Sequence, residues 1–324
     1  MAGVETVNGR IDADQMGLTL IHEHFFASDE AISAQWPHVR DSEREHALAL
    51  ESAQAVMRHG VKTVVDPTAA LVGRDVRASQ RLATETGLHL IACTGVYTYN
   101  HLPEYLRNRS ADQIAELFVH DILQGIQGTE IKAAFIKCAA DRPGVNERID
   151  KIHRAAARAC TQTGVPIMAH SHPASQTGLR QTEVFLEEGV APEKIQIAHT
   201  GDTDDLDYIE RLLDRGVYIG MDRYGIDSFL PTDRRNATVL ELLRRGHAGR
   251  MLLSQDYTIS IANGLDWYPP EMVARMRASG AIADWSMTFL FERVIPALRE
   301  CGMTDAQLHT MMVENPRRWL AVTP

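Results

Sequence analysis

The sequence predicts an α/β protein folded as a (β/α)8 TIM barrel, and two observations lead to that prediction. Short apolar runs alternate with amphipathic stretches along the 324 residues of the chain. The runs are nearly continuous in apolar or small residues, as expected of parallel strands that are covered on both faces. There are eight of them, and eight parallel strands favour closure into a barrel. An open, doubly wound sheet of similar strand content is the alternative fold.

The predicted strands lie far enough apart for helices to fit between them. In chain order they cover residues 18–21, 61–65, 88–93, 133–136, 166–169, 195–198, 217–221 and 251–253. Apolar side chains at helical spacing predict the intervening helices, for example over residues 44–59, 112–123, 146–163, 204–213 and 236–245. A glycine often ends a helix, because it adopts the left-handed conformation easily. Glycines stand at such positions, just before a strand, at Gly60, Gly87, Gly164, Gly216 and Gly246.

Residues 257–284 interrupt this alternation with a long, aromatic-rich segment between the eighth strand and the final helices. Loops of that length inside a compact domain are usually functional, so we expect this one to bind substrate. The chain has no low-complexity linker, no compositional break and no repeat beyond the strand–helix unit. We therefore expect residues 1–324 to form a single barrel domain.

Composition excludes several classes of protein. A hydrophobic fraction of 44% with 23% charged residues is that of a folded globular protein and excludes wholesale disorder. The net charge of −10, from 33 basic and 43 acidic residues, makes nucleic acid and anionic membranes unlikely partners. No apolar stretch approaches the ~18 residues of a membrane-spanning helix, and the first residues do not resemble a signal peptide.

The cysteines predict no structural metal or disulfide framework. Cys93, Cys138, Cys160 and Cys301 are far apart and form no C-x-x-C pair. Reduced thiols are the simplest interpretation, and we expect the protein in the cytoplasm.

Chemically active residues stand where the predicted strands end. The carboxyl ends of all barrel strands open onto one face, so side chains there converge although they are far apart in sequence. Residues two apart on a strand point to the same side, which lets both histidines of a His-x-His pair reach one metal ion. Nitrogen and carboxylate ligands suit zinc, cobalt, iron or manganese. The converging residues are His22, His24, Lys137, His170, His199 and Asp256.

Two members of this group leave alternatives open. His172 could replace His170, although His170 ends its apolar run directly. Lys137 would ordinarily extend its amine to solvent from a strand end. In a buried site with several histidines the amine would instead be driven towards its neutral form. A neutral amine can react with carbon dioxide to give a carbamate, whose two oxygens can bridge two metal ions.

These residues resemble the binuclear site of the amidohydrolase superfamily, and more closely that of the phosphotriesterase family. The likeness runs nearly end to end, through residues 20–24 (LIHEH), 65–68 (VDPT), 95–97 (GVY) and 314–317 (ENPR). Within the family the chain is similar to the phosphotriesterase-like lactonases, because Tyr97 and Arg223 match lactonase positions. Gln255 and Thr258 depart from many relatives, which have histidine and cysteine there, but neither is a ligand position.

The resemblance implies a metal-dependent hydrolase with two divalent ions per chain, zinc first among the candidates. His22, His24 and Asp256 would hold the more buried ion, and His170 and His199 the more exposed one. A carbamylated Lys137 would bridge them, and a hydroxide between the ions would be the nucleophile. The resemblance also suggests a homodimer.

The predicted reaction is the opening of lactone rings, either N-acyl homoserine lactones or γ- and δ-lactones, with incidental hydrolysis of organophosphates. Asp256 would carry the proton from the attacking water to the leaving alkoxide. Tyr97 and Arg223 would orient the ring, although their ordinary interpretations are a packed aromatic and a surface ion pair. An apolar channel for the tail is expected from the segment after strand 8, from Tyr257, Ile259, Ile261, Leu265, Trp267 and Tyr268.

Two other functions compete with the lactonase hypothesis. One is a true phosphotriesterase, and the other is a barrel that keeps its ligands but serves as a binding protein. An unused site has no physical reason to keep a costly cluster of polar groups, which argues against the binding protein.

Overall fold

The predicted barrel is confirmed by a computed structural model, which describes residues 2–322. Eight parallel strands are hydrogen-bonded in the chain order expected of a (β/α)8 barrel. They are β3 (Leu18–Leu20), β5 (Val61–Asp66), β6 (His89–Gly95), β7 (Phe135–Ala139), β8 (Ile167–His170), β9 (Ile195–Ala198), β10 (Tyr218–Met221) and β11 (Met251–Leu253). Four short strands complete the set: the hairpin β1 (Gly3–Thr6) and β2 (Gly9–Asp12), and the pair β4 (Glu23–His24) and β12 (Tyr257–Thr258).

Helices surround the strands. The longer ones are α2 (Ser42–Arg58), α3 (Val76–Thr86), α5 (Ala111–Leu123), α6 (Glu147–Thr163), α7 (Thr177–Glu187), α8 (Leu206–Leu213), α9 (Thr232–Arg244) and α11 (Pro270–Ala278). Shorter ones are α1 (Glu30–Gln35), α4 (Glu104–Arg107), α10 (Ile259–Ala262), α12 (Ile295–Glu300), α13 (Asp305–His309) and α14 (Asn315–Leu320), with π-helical turns at Leu290–Val294 and Thr310–Glu314. None of the helices in residues 2–322 combines the length and apolar character needed to cross a membrane.

Both faces of the strands are buried, which explains why the sequence shows apolar runs rather than alternation. Every residue of β7, β8, β9 and β10 is buried. Alternate residues join two different apolar clusters. One fills the barrel and includes Val65, Ile91, Phe135, Met168, Leu252 and Trp319. The other lies between strands and helices and includes Val64, Leu90, Ile136, Ile167 and Ile219.

Glycine ends α3 and α6 as the sequence predicts. Gly87 and Gly164 adopt φ angles of 76° and 77°, in the left-handed region where a side chain would be strained. Each donates its N–H to the helix, to the carbonyls of Ala83 and Cys160. Such a bond satisfies a carbonyl that the helix end would otherwise leave unpaired.

The barrel closes between its first and last strands through a separate, shorter pairing. In the described part of the chain β11 and β3 are not paired directly with each other. Instead β12 pairs in parallel with β4, opposing Tyr257 to Glu23 and Thr258 to His24. The N–H of Asp256 also donates to the carbonyl of His22 at 3.0 Å. The seam of the barrel therefore runs through the predicted metal-binding residues.

Two details differ from the sequence prediction. Lys137 is the third residue of β7 rather than its end, because this strand begins and finishes later than predicted. The segment 257–284 is not an irregular loop, since it contains β12, α10 and α11.

One buried histidine outside the strand ends makes stability depend on pH. Burial lowers the pKa of His153 to about 4 from its ordinary value of 6.5. Its ring stacks on Phe185, its Nδ1 donates to the Ile149 carbonyl at 2.7 Å, and its Nε2 accepts from Gln181 at 2.9 Å. A neutral imidazole satisfies both of these hydrogen bonds.

We expect His153 to lower the free energy of unfolding as the pH falls from 6.5 towards 4. The unfolded chain takes up a proton there while the folded chain does not, and this costs at most about 3 kcal/mol. Urea unfolding of metal-free protein at pH 7 and pH 4.5, with His153→Gln for comparison, measures the effect. The variant should lose less stability on acidification than the wild type. Equal losses in both proteins would refute the assignment.

Candidate metal centre

The six predicted site residues converge at the carboxyl-terminal mouth of the barrel. His22 follows β3, His24 belongs to β4, and Lys137 lies within β7. His170 ends β8, while His199 and Asp256 follow β9 and β11 closely. All six are buried. His199 and Asp256 have φ angles of 63° and 52°, so two of the six sit in left-handed turns where a strand ends.

Asp256 is the common neighbour of three histidines. Its Oδ1 lies 3.3 Å from Nε2 of His22 and 3.2 Å from Nε2 of His24. Its Oδ2 lies 3.9 Å from Nε2 of His199. Ligand atoms of His22, His199 and Asp256 all lie within 4.8 Å of one another, close enough for one ion to reach them together.

The second nitrogen of each of these histidines has a partner of its own. Asp222 accepts from Nδ1 of His22 at 2.9 Å and from Nδ1 of His199 at 3.1 Å. Thr68 contacts Nδ1 of His24 at 2.8 Å. These partners fix the ring orientation and leave the inward Nε2 lone pairs available to a cation. Burial opposes the charge of Asp222, but His199 and His22 lower its pKa well below the ordinary value.

The carboxylate next to His170 contacts its Nε2, whereas Asp222 contacts Nδ1 of His22 and His199. Nε2 of His170 lies 3.0 Å from Oδ2 of Asp141, and its Nδ1 lies 3.1 Å from the Tyr97 hydroxyl. Its ring centre is 4.4 Å from that of His199. Burial lowers the pKa of His170 to about 3. His172, the alternative, instead contacts Ser175 with its Nδ1 at 2.8 Å.

Lys137 has no exposed surface, so the interpretation that its amine reaches solvent is wrong. Its Nζ lies 3.3 Å from Nε2 of His22 and 3.4 Å from Sδ of Met168. Burial lowers the pKa of Lys137 to about 8. A larger fraction of this amine is therefore neutral, and nucleophilic, than in a solvated lysine.

This donor set fits a divalent transition metal. Four imidazoles lie at the barrel mouth with a buried carboxylate and a buried amine. One nitrogen of His22, His24 and His199, and both nitrogens of His170, contact a hydroxyl or a carboxylate. Neutral imidazole and carboxylate are ligands that zinc, cobalt, iron and manganese accept.

Arg223 is tied into the site rather than to the surface. Its Nε donates to Oδ2 of Asp256 at 2.8 Å, and a terminal nitrogen donates to Asp202 at 2.9 Å. Asp202 in turn accepts from the fully buried Arg235 at 2.9 Å. The interpretation of Arg223 as a surface ion pair is therefore wrong.

The Tyr97 hydroxyl is likewise part of a polar network. It contacts His170 and is hydrogen-bonded to the hydroxyl of Tyr99. Burial raises the pKa of Tyr97 well above its ordinary value, so the hydroxyl keeps its proton. It can donate that proton in a hydrogen bond.

A cavity of about 550 Å³ opens beside Asp256 and His24. Tyr97, Arg223, Ile261, Trp267 and Tyr268 line it as predicted. Loops after other strands and later residues supply the rest of the lining, chiefly Leu71, Val72, Tyr99, Ile226, Phe229, Met276, Ile282 and Trp285.

Three residues expected at this cavity lie elsewhere. Tyr257 is buried and packs edge-on against Trp285, with ring centres 5.1 Å apart. Ile259 is fully buried in the apolar cluster between strands and helices, and Leu265 packs against that cluster. Their apolar side chains support the fold of the segment after β11 instead of lining the cavity. The expectation that these three residues line the cavity is therefore wrong, and their contact with substrate stays a prediction.

Several polar residues of the site were not predicted from the sequence. Asp222 directly follows β10, as the predicted ligands follow their strands, so its position alone could have identified it. Glu23, Thr68, Asp141 and Asp202 are not evident from the sequence, because the partner of each comes from another segment of the chain. Tyr99 is not evident either, although its partner Tyr97 is only two residues away.

Known proteins match nearly the whole length of this chain. A sequence profile of the phosphotriesterase family matches residues 2–320. An aryldialkylphosphatase of Saccharolobus solfataricus is 44% identical over 317 residues, covering 96% of this chain and 97% of that protein. A phosphotriesterase homology protein of Mycobacterium tuberculosis is 37% identical over 326 residues, covering 98% and 97%. The solved structure of the phosphotriesterase from Mycobacterium tuberculosis superposes with a TM-score of 0.90 at 36% identity, covering 98% of both chains.

Proposed function

The chain belongs to the phosphotriesterase family of metal-dependent hydrolases, and from that premise we propose that it is a lactonase. Its substrates in this proposal are N-acyl homoserine lactones or γ- and δ-lactones, with hydrolysis of organophosphate triesters as a side activity. The observation that carries the proposal is that Tyr97 and Arg223 line a largely apolar cavity that His24 and Asp256 also line. A polar ring with one apolar tail matches that arrangement.

The proposed ligands are those that the family resemblance implies, and the contacts of Asp256 with His22 and His24 support the first set. His22, His24 and Asp256 would hold one divalent ion, and His170 and His199 a second. Lys137, carbamylated, would bridge the two. Ions bound there supply a Lewis acid for the lactone carbonyl and lower the pKa of a nearby water.

Asp256 is the proposed carrier of the proton. Burial opposes its charge, yet His22 and Arg223 lower the pKa of Asp256 well below its ordinary value. It is therefore ionised at neutral pH and takes the proton from water as the water oxygen bonds to the carbonyl carbon. The ring C–O bond then breaks, and Asp256 returns the proton to the alkoxide.

Arg223 and Tyr97 are proposed to orient the ring. A guanidinium cannot give up its proton at neutral pH, so Arg223 acts as a fixed donor to Asp256 and to the substrate. Tyr97 keeps its hydroxyl proton and can donate it in a hydrogen bond to a lactone oxygen. Donors fixed in place before substrate binds cost no reorganisation during the reaction.

A true phosphotriesterase is the second candidate. It is supported by the relative from Saccharolobus solfataricus, whose name is aryldialkylphosphatase. The two candidates differ in the shape of substrate that the cavity must accept, since a triester presents three arms and an acyl lactone one tail.

We expect kcat/KM to rise along a series of lactones of increasing tail length until the cavity is full. Each buried methylene is worth about 0.8 kcal/mol, close to fourfold. Steady-state assays of metal-loaded protein measure the series. Trp267→Ala should flatten the rise because Trp267 lines the cavity, whereas Trp36→Ala, which removes an exposed tryptophan outside the lining, should not.

The same preparation should hydrolyse lactones faster than aryl phosphotriesters. Tyr97→Phe and Arg223→Ala should depress lactone turnover more than triester turnover. A flat tail-length profile with faster triester hydrolysis would replace the lactonase by the phosphotriesterase. Bound metal with no turnover on either substrate class would indicate a binding protein.

We expect Lys137→Ala to lose metal and activity together, because alanine cannot carry the proposed carbamate. Formate or propionate should restore part of both by supplying bridging oxygens. Elemental analysis and lactone assays, with and without the added acid, measure this. Lys62→Ala, which removes an exposed lysine on β5, is the control and should keep both. Full metal content and activity in Lys137→Ala would contradict the bridge.

A further inference from the structure

One buried carboxylate at the barrel mouth has no part in the proposed chemistry. Glu23 stands between His22 and His24 in sequence and has no exposed surface. In the described residues 2–322 it forms no ion pair with a lysine, arginine or histidine. Burying a carboxyl group without a cation beside it is unfavourable. A buried carboxyl group of this kind indicates a structural or functional role that offsets its unfavourable burial.

Three hydrogen-bond donors from one short turn converge on Glu23. The Ser254 hydroxyl donates to Oε1 at 2.7 Å, and the N–H of Gln255 donates to the same oxygen at 3.1 Å. The N–H of Tyr257 donates to Oε2 at 2.7 Å. The carboxyl group therefore accepts hydrogen bonds from the backbone on both sides of Asp256.

Asp256, which lies between these two N–H groups, has an unfavourable backbone conformation. Asp256 has a φ angle of 52°, in the left-handed region that residues with a side chain adopt infrequently. A strained residue keeps such a conformation only where its surroundings enforce it. The two N–H groups that flank Asp256 both donate hydrogen bonds to Glu23. The N–H of Asp256 itself donates to the carbonyl of His22.

Glu23 also reaches His22 through one intermediate. The N–H of His22 donates to the Ser254 hydroxyl at 3.0 Å, and that hydroxyl donates to Glu23. Through Ser254 and the turn, one carboxyl group holds the backbones of His22 and Asp256. These residues come from opposite ends of the chain and face each other across the seam of the barrel.

We propose that Glu23 is a positioning residue that holds Asp256 and His22 in the geometry needed to retain metal. The inference rests on the proposed metal centre. Glutamine at this position has nearly the same shape, but its amide nitrogen is a donor. One of the three donors from the turn then loses its acceptor, and the left-handed conformation loses support.

The test is the rate at which zinc leaves the folded, zinc-loaded protein into excess chelator. We expect release from Glu23→Gln to be about 10–100-fold faster than from wild type, the usual effect of removing a partner that orients metal ligands. Ser254→Ala, which keeps the two backbone hydrogen bonds to Glu23, should give a smaller acceleration.

Glu45→Gln is the matched control. Glu45 is also a buried carboxylate, but it lies on α2 and pairs with Arg40, whose Nε donates to it at 2.9 Å. This variant should lower the melting temperature of the metal-free protein and leave the zinc release rate unchanged. A general loss of stability is thereby separated from a loss of ligand positioning.

Release from folded Glu23→Gln at the wild-type rate would overturn the inference, as would equal acceleration in Glu45→Gln. If Glu23→Gln does not fold, Ser254→Ala decides, and unchanged release from it would also overturn the inference. Wild-type protein that takes up no zinc would overturn the proposed function together with the inference. Zinc bound normally by wild type, with no effect of the variants, would overturn the inference alone.

Discussion

The site depends first on Asp222, which holds two histidines from distant parts of the chain. Its carboxylate contacts Nδ1 of His22 and Nδ1 of His199, and it also accepts from the N–H of His199 at 2.7 Å. Both rings are thereby fixed in the tautomer that leaves Nε2 free and facing Asp256. A buried cluster of imidazoles without such a partner would lose both its orientation and its hydrogen bonds. The charge that Asp222 carries is stabilised by the rings it orients.

The hydrogen bonds that close the barrel also assemble the site. The first and last barrel strands join through β4 and β12, and the hydrogen bonds of that junction belong to His22, Glu23, Ser254 and Asp256. Fold stability and site geometry are therefore coupled at this seam. A change that loosens the seam displaces the carboxylate on which three histidines converge.

Much of this could be predicted from the sequence, because strands buried on both faces leave continuous apolar runs and the residues after them must converge. That logic located His170, His199 and Asp256, and it could also have located Asp222. The prediction that Tyr257 and Leu265 line the cavity failed, because the sequence does not distinguish an apolar residue of the core from one that lines a cavity. The same logic also missed Glu23, whose three donors come from a turn more than two hundred residues away.

In the proposed function, these buried side chains hold two metal ions at the barrel mouth. Anomalous diffraction at the zinc absorption edge, from crystals of zinc-loaded protein, would locate the ions. We expect two peaks per chain, one among His22, His24 and Asp256 and one beside His170 and His199, with Lys137 between them. A single peak, or peaks away from these residues, would contradict that proposal.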